Sequence, residues 1–139
     1  MAGKLLFEIV TPERLAFSEE VDEVTLPGSV GEFGVLPGHV PFLSTLQIGI
    51  ISTRREGSEI YYAVSGGFIE VHEDHVIVLA ETAERSDEID VARAHASQER
   101  AEKSLREMRE EDESRFQRAE LRLKRALTRE KVSRMTANR

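Results

Sequence analysis

All nine glycines and all four prolines of this 139-residue chain lie at or before Gly67. Glycine weakens helices through backbone entropy, and proline breaks them through its missing N–H and its ring. The first part of the chain can therefore turn repeatedly, while nothing after Gly67 stops a helix. Aromatic residues divide the same way: seven of eight precede residue 69, where they favour strands. Charge divides as well. Residues 1–88 carry five basic and sixteen acidic side chains, a net of −11, whereas residues 89–139 carry fourteen basic and ten acidic, a net of +4. Two physically different units are joined near Ser86: a β domain expected over 1–86 and a helical unit over 87–139.

The formal charge of −7 argues against nucleic acid as the main partner, although the basic second unit can meet an acidic protein surface or phosphates. With no cysteine, neither a disulfide framework nor a thiolate metal site is available. No apolar run approaches the ~20 residues of a membrane span. Glu8 follows only three apolar residues, so no signal-peptide core is expected. A cytosolic protein is expected, or one peripheral on something membrane-bound.

Alternation and turn residues place strands at 4–10, 48–53, 59–64, 68–71 and 76–80, with apolar Val21, Val24 and Leu26 in the acidic stretch before Pro27. Arg54 to Gly57 reads as a hairpin turn, and Ser65-Gly66-Gly67 as a bulge or tight turn. Ile60, Tyr62 and Val64 share one face. Short strands at this spacing indicate an antiparallel sandwich or barrel. The segment 29–42 reads as a long irregular loop dense in glycine and proline. It is either merely shaped by those residues, or it presents Glu32 and His39 to a partner.

From Ser86 onward the reading is helical, with Ser86 as cap and Asp87 and Glu88 in the first turn. The wholly polar run 109–114 divides it into helices over 88–108 and 114–134, paired as an antiparallel hairpin. In the first helix Val91, Ala94, Ala101, Leu105 and Met108 lie on one side. In the second, Phe116, Ala119, Leu123, Ala126 and Leu127 follow the 3.6-residue period. Arg118, Arg122, Arg125 and Arg129 lie on the opposite side. A hairpin burying mostly alanine and leucine docks weakly, which suits a detachable element.

No enzyme chemistry is legible. His72 and His75 flank Glu73 and Asp74 in a polar turn, His39 and His95 fall in different halves, and no metal-ligand spacing exists. Nucleophile-elbow and phosphate-loop motifs are absent. Two readings of the arginines stay open. Asp90 and Arg93 can form a local pair on a solvated face. Alternatively, Arg93 and Arg100 on one helix and Arg125 and Arg129 on the other converge on a polyphosphate.

Taken together, the loop Gly31-Glu32-Phe33-Gly34-Val35-Leu36-Pro37-Gly38-His39-Val40-Pro41, the segment Ser65-Gly66-Gly67-Phe68-Ile69-Glu70-Val71 and the run Val78-Leu79-Ala80-Glu81-Thr82-Ala83-Glu84 resemble the epsilon-subunit family of the rotary, proton-translocating ATP synthase of bacteria and chloroplasts. The resemblance covers nearly the whole chain. It implies an N-terminal antiparallel β sandwich of about ten strands followed by a C-terminal helical hairpin. It also implies a non-catalytic central-stalk subunit that binds the gamma subunit and sits on the c-subunit ring. Glu32 and His39 would face that ring. The hairpin would either fold on the sandwich or extend into the alpha/beta catalytic head, where Arg118, Arg122 and Lys124 would meet an acidic surface and block ATP hydrolysis. No cofactor is required, but the family's nucleotide motif is matched by Ile89, Asp90, Arg93 and Ala94, with Glu84, Arg100, Arg125 and Arg129 accompanying it. ATP as a regulatory ligand of the folded hairpin follows. The expected location is the cytoplasmic face of a bacterial membrane, held there through the complex, or the stromal side of a thylakoid.

Overall fold

A computed structural model describes residues 3–107 and 113–137. Eight strands precede two helices: β1 (Leu5–Val10), β2 (Leu15–Val21), β3 (Glu23–Gly28), β4 (Gly31–Val35), β5 (Phe42–Arg55), β6 (Ser58–His72), β7 (His75–Ala80), β8 (Ala83–Arg85), α1 (Val91–Glu107) and α2 (Glu113–Ala137). A short 3-10 turn at Ser86–Glu88 joins the two parts.

The strands form one sheet in the order β2-β1-β7-β6-β5-β3-β4, with β8 on β6. About ten strands were expected; among the described residues there are eight, of which β5 and β6 are the longest at 14 and 15 residues. Their register is constant but the ladder has a break at the middle: Leu46 faces Gly67 and Ile48 faces Ser65, with no pairing between Gln47 and Gly66. Beyond that break β6 pairs with β7, and before it with β8. Gly66 and Gly67 take φ of +100° and +145°, which a side chain rarely adopts, so the bend falls where the backbone permits it. The sheet folds over on itself around one core, which includes Leu5, Phe7 and Ile9 of β1 and Ile51 and Tyr62 of the long strands. Tyr62 packs edge-on to Phe17 at 4.9 Å between ring centroids. Its hydroxyl donates to Glu19, and burial pushes that hydroxyl well above its ordinary titration range.

Two expectations are corrected here. The pairing is not purely antiparallel, since β1 runs parallel to β7. Nor is 29–42 wholly irregular: residues 31–35 form β4, whose hydrogen bonds to β3 are supplied by a neighbour that local composition does not reveal.

Side-chain alternation along β6 fixes where the helices go. Tyr62 and Val64 point into the sandwich core, while Ala63 faces outward into a second cluster with Ile89, Ala94 and Val132. The two helices lie along each other through small residues: Ala94 and Ala101 on α1, and Ala119, Ala126 and Ser133 on α2, are all buried. Leu127 was expected in this stripe but is 43% exposed. The contact face instead continues from Ala126 to Glu130 and Ser133. The expected cap is corrected as well. Ser86 belongs to the 3-10 turn, and Asp90 caps α1, its Oδ1 accepting the Arg93 backbone N–H at 3.0 Å. Asp90 thus serves Arg93's backbone rather than its guanidinium. Of the polar run at 109–114, residues 109–112 lie outside the described residues, as does Met108, and α2 has already begun at Glu113.

Candidate functional site

The junction between sheet and helices gathers most of the residues singled out above. β8 pairs with β6 so that Ala63 lies opposite Glu84. Glu84 then reaches α2: Arg129 Nη2 donates to Glu84 Oε2 at 3.1 Å, and Arg129 Nε lies 2.6 Å from Oε1. Both side chains are about a third exposed or less, which shields the pair from water more than a surface ion pair. Arg125, one turn earlier, lines the same small cleft, together with Ser65, Thr82 and Thr128.

On the other side of Ala63, Ile89 and Ala94 pack against Val132. Ile89 is extended between the 3-10 turn and Asp90, so it plugs the apolar contact while Asp90 starts the helix. Arg85 braces the turn: its Nε donates to Asp87 Oδ1 at 2.7 Å, and the guanidinium holds the Asp87 carboxyl below its ordinary value. Ala63 is thus shared by residues of two expected nucleotide groups: it lines the cleft of Glu84, Arg125 and Arg129, and it packs with Ile89 and Ala94. Arg93 is exposed at the start of α1, and Arg100 is exposed about two turns further along.

Of the expected partner-contact residues, Arg118 and Arg122 are exposed on α2. Lys124 is exposed as well, on the side of α2 that faces the sheet. With Leu121 and Arg125 it roofs an apolar groove of about 810 Å³ floored by Leu46, Gly67 and Phe68. Glu32 and His39 line different clefts. Glu32, on β4, lines a cleft of about 300 Å³ shared with Lys124 and Lys131 of α2. His39 lies in the β4–β5 loop beside Leu36, Pro37 and Gly38.

Sequence reasoning missed a polar contact inside the hairpin. Glu130 is only 6% exposed, His95 Nδ1 lies 3.4 Å from its Oε1, and Arg134 donates to the same oxygen. The signal was available, since Glu130 is one turn beyond Ala126 on the buried face, but a charged residue there reads as a surface position. Among the described residues no group of three or more His, Asp or Glu is arranged to hold a metal, and no helix is long and apolar enough to cross a membrane.

Two family models match end to end: the β-sandwich domain of the ATP synthase delta/epsilon chain over residues 4–86, and its long α-helix domain over 87–134. ATP synthase epsilon chain 2 of Syntrophotalea carbinolica is 52% identical over 134 residues, 96% of each chain. The ATP synthase epsilon chain of Geotalea uraniireducens is 48% identical over 139 residues, covering all of both. In fold, the chain is similar to one in the Euglena gracilis mitochondrial ATP synthase OSCP/F1/c-ring assembly, with a TM-score of 0.77 at 24% identity over 98% of this chain and 82% of that one.

Proposed function

This chain belongs to the ATP synthase delta/epsilon family as an epsilon chain, a structural and regulatory subunit rather than the catalytic one, and we propose that its helical hairpin is a brake on ATP hydrolysis that ATP holds in the folded position. In this reading the sandwich binds the gamma subunit and rests on the c-subunit ring, on the cytoplasmic face of a bacterial membrane. The His39 loop carries the ring contact, and Glu32 stands at the border between that end and the hairpin. Extended, α2 offers Arg118, Arg122 and Lys124 to an acidic surface of the alpha/beta catalytic head.

The observation that carries the reading is the junction itself. Glu84 of the sandwich pairs with Arg129 of α2, and Arg125 shares their cleft. These residues come together only while α2 is folded on the sheet. A ligand that bridges them binds the folded state alone, and such differential binding is what shifts a two-state equilibrium. The triphosphate would engage Arg125 and Arg129, with Arg93 and Arg100 reaching from α1. Glu84, displaced from Arg129, would be free to accept a hydrogen bond from the ribose or base.

Calorimetry on the full chain with magnesium-free ATP tests this directly. Binding is expected, weakened by Arg125→Ala; no heat and no rise in melting temperature would reject the nucleotide arm. Deleting residues 87–139 tests the brake separately. Hydrolysis by the assembled complex should rise while coupling persists, and unchanged hydrolysis removes the inhibitory arm.

A further inference from the structure

The β6–β7 turn carries an oddity that the brake does not use. Its two central residues, Glu73 and Asp74, both adopt positive φ, +48° and +61°. The β5–β6 turn has the same two-residue form, with Glu56 at +50° and a glycine, Gly57, at +82°. Glycine suits the second position of such a turn, and a residue with a Cβ is strained there. At Asp74 the chain instead keeps a carboxylate, and that carboxylate has a distant partner. Asp74 Oδ1 accepts the backbone N–H of Gly38 at 2.7 Å, across 36 residues of sequence.

Gly38 lies in the loop that presents His39. The loop is closed locally by the His39 N–H donating to the Leu36 carbonyl at 3.1 Å, and the His39 ring meets Phe42 edge-on at 5.9 Å between centroids. Those contacts shape the loop and rest it on Phe42 at the start of β5, without reaching the β1–β7 side of the sandwich. Asp74 supplies that second attachment. Its carbonyl accepts the Leu6 N–H at 2.9 Å, and the neighbouring His75 pairs with Glu8 across the parallel β1–β7 ladder. Gly38 has φ of +86° with open space around it, so the loop turns freely at the point where it is held.

We propose that Asp74 is a positioning residue for the His39 loop, tying the ring-facing surface to the β1–β7 frame so that torque passes to the sandwich without loop slack. The proposal rests on the assignment of that loop to the c-subunit ring. A hydrogen bond to an ionised acceptor is among the stronger kinds, and one such bond can hold a short loop in a single pose.

Asp74→Gly removes the carboxylate without straining the turn, and Asp74→Asn keeps an oxygen acceptor at a residue type tolerant of positive φ. In the full chain, Asp74→Gly should accelerate amide exchange at Gly38 by roughly tenfold while leaving the β1 and β7 amides protected, and Asp74→Asn should restore most of the protection. In the reconstituted complex, Asp74→Gly should lower proton pumping per ATP hydrolysed, with recovery in Asp74→Asn. Unchanged Gly38 exchange overturns the tether, and accelerated exchange with undiminished pumping overturns its role in coupling. If the wild-type chain restores no pumping at all, the ring assignment itself fails, and Gly38 exchange still decides whether Asp74 holds the loop.

Discussion

Replacing Val132 by alanine measures how tightly the hairpin is held. Val132 is fully buried between α2 and the sheet, against Ala63, Ile89 and Ala94, with Ile50 and Tyr61 at the edge of the contact. Two carbons are lost, worth about 0.8 kcal/mol each by transfer, and the space they leave adds a cavity term. Ala63 and Ala94 are too small to fill that space, so the combined loss comes to about 2 kcal/mol. At 1.4 kcal/mol per tenfold, the detached hairpin should become about 30-fold more populated. The Glu84–Arg129 pair survives the change, so the loss isolates the apolar part of the docking. Amide exchange followed by mass spectrometry reads it out: α2 should exchange faster by that factor while β1, β6 and β7 keep their protection. In the assembled complex the same variant should be inhibited more deeply, because the extended state is favoured. Equal loss of protection in α2 and in the sandwich would refute the argument, since hairpin and sheet would then open as one unit. Unaltered α2 exchange would refute the energetics.

Gly67→Ala should be severely destabilising, by more than about 3 kcal/mol in denaturant unfolding, because an added Cβ would stand 1.9 Å from the Leu79 carbonyl oxygen at the crossing of β6 and β7. Gly31→Ala has a similar φ of +140° but open space around it, and should cost only about 1 kcal/mol; similar losses at both positions would show that backbone strain, not the clash, dominates. The Asp22 carboxyl is held below its ordinary value of 3.8, chiefly by the hydrogen bond from Lys4 and next by the Glu56 backbone N–H. The stability this adds is present above that ordinary value and is lost as pH falls through the lower folded-state value. Asp22→Asn should therefore flatten the acid limb of the stability–pH curve below about pH 4, and an unchanged limb would contradict this.

Much of the β domain was legible in the sequence because its signals are local. Alternation at Ile60, Tyr62 and Val64 marked a core face, and Ser65-Gly66-Gly67 marked the irregularity at which the long strands bend. Other features were illegible because their cause lies elsewhere in the chain. The Gly-rich stretch at 31–35 becomes β4 only because β3 offers it hydrogen bonds. Glu130 is buried because Ala126 and Ser133 bring α1 close and His95 and Arg134 meet its carboxylate. Glu32 and His39 were grouped by proximity in the chain, yet they line different clefts, Glu32 one shared with α2 and His39 one bounded by Glu23 and Gly34.

The sequence by itself determined that a turn-rich, acidic strand domain is followed by a breaker-free, basic helical one, because glycine, proline and apolar period act within a few residues of where they stand. Its residue-by-residue match to the family's nucleotide motif is the basis of the proposed ATP site. Only the tertiary structure decided that Glu84 closes on Arg129, that Asp90 rather than Ser86 starts the first helix, and that Asp74 holds Gly38. Strand pairing and helix docking join residues far apart in sequence, and the free energy of those contacts exists only once the chain has brought them together.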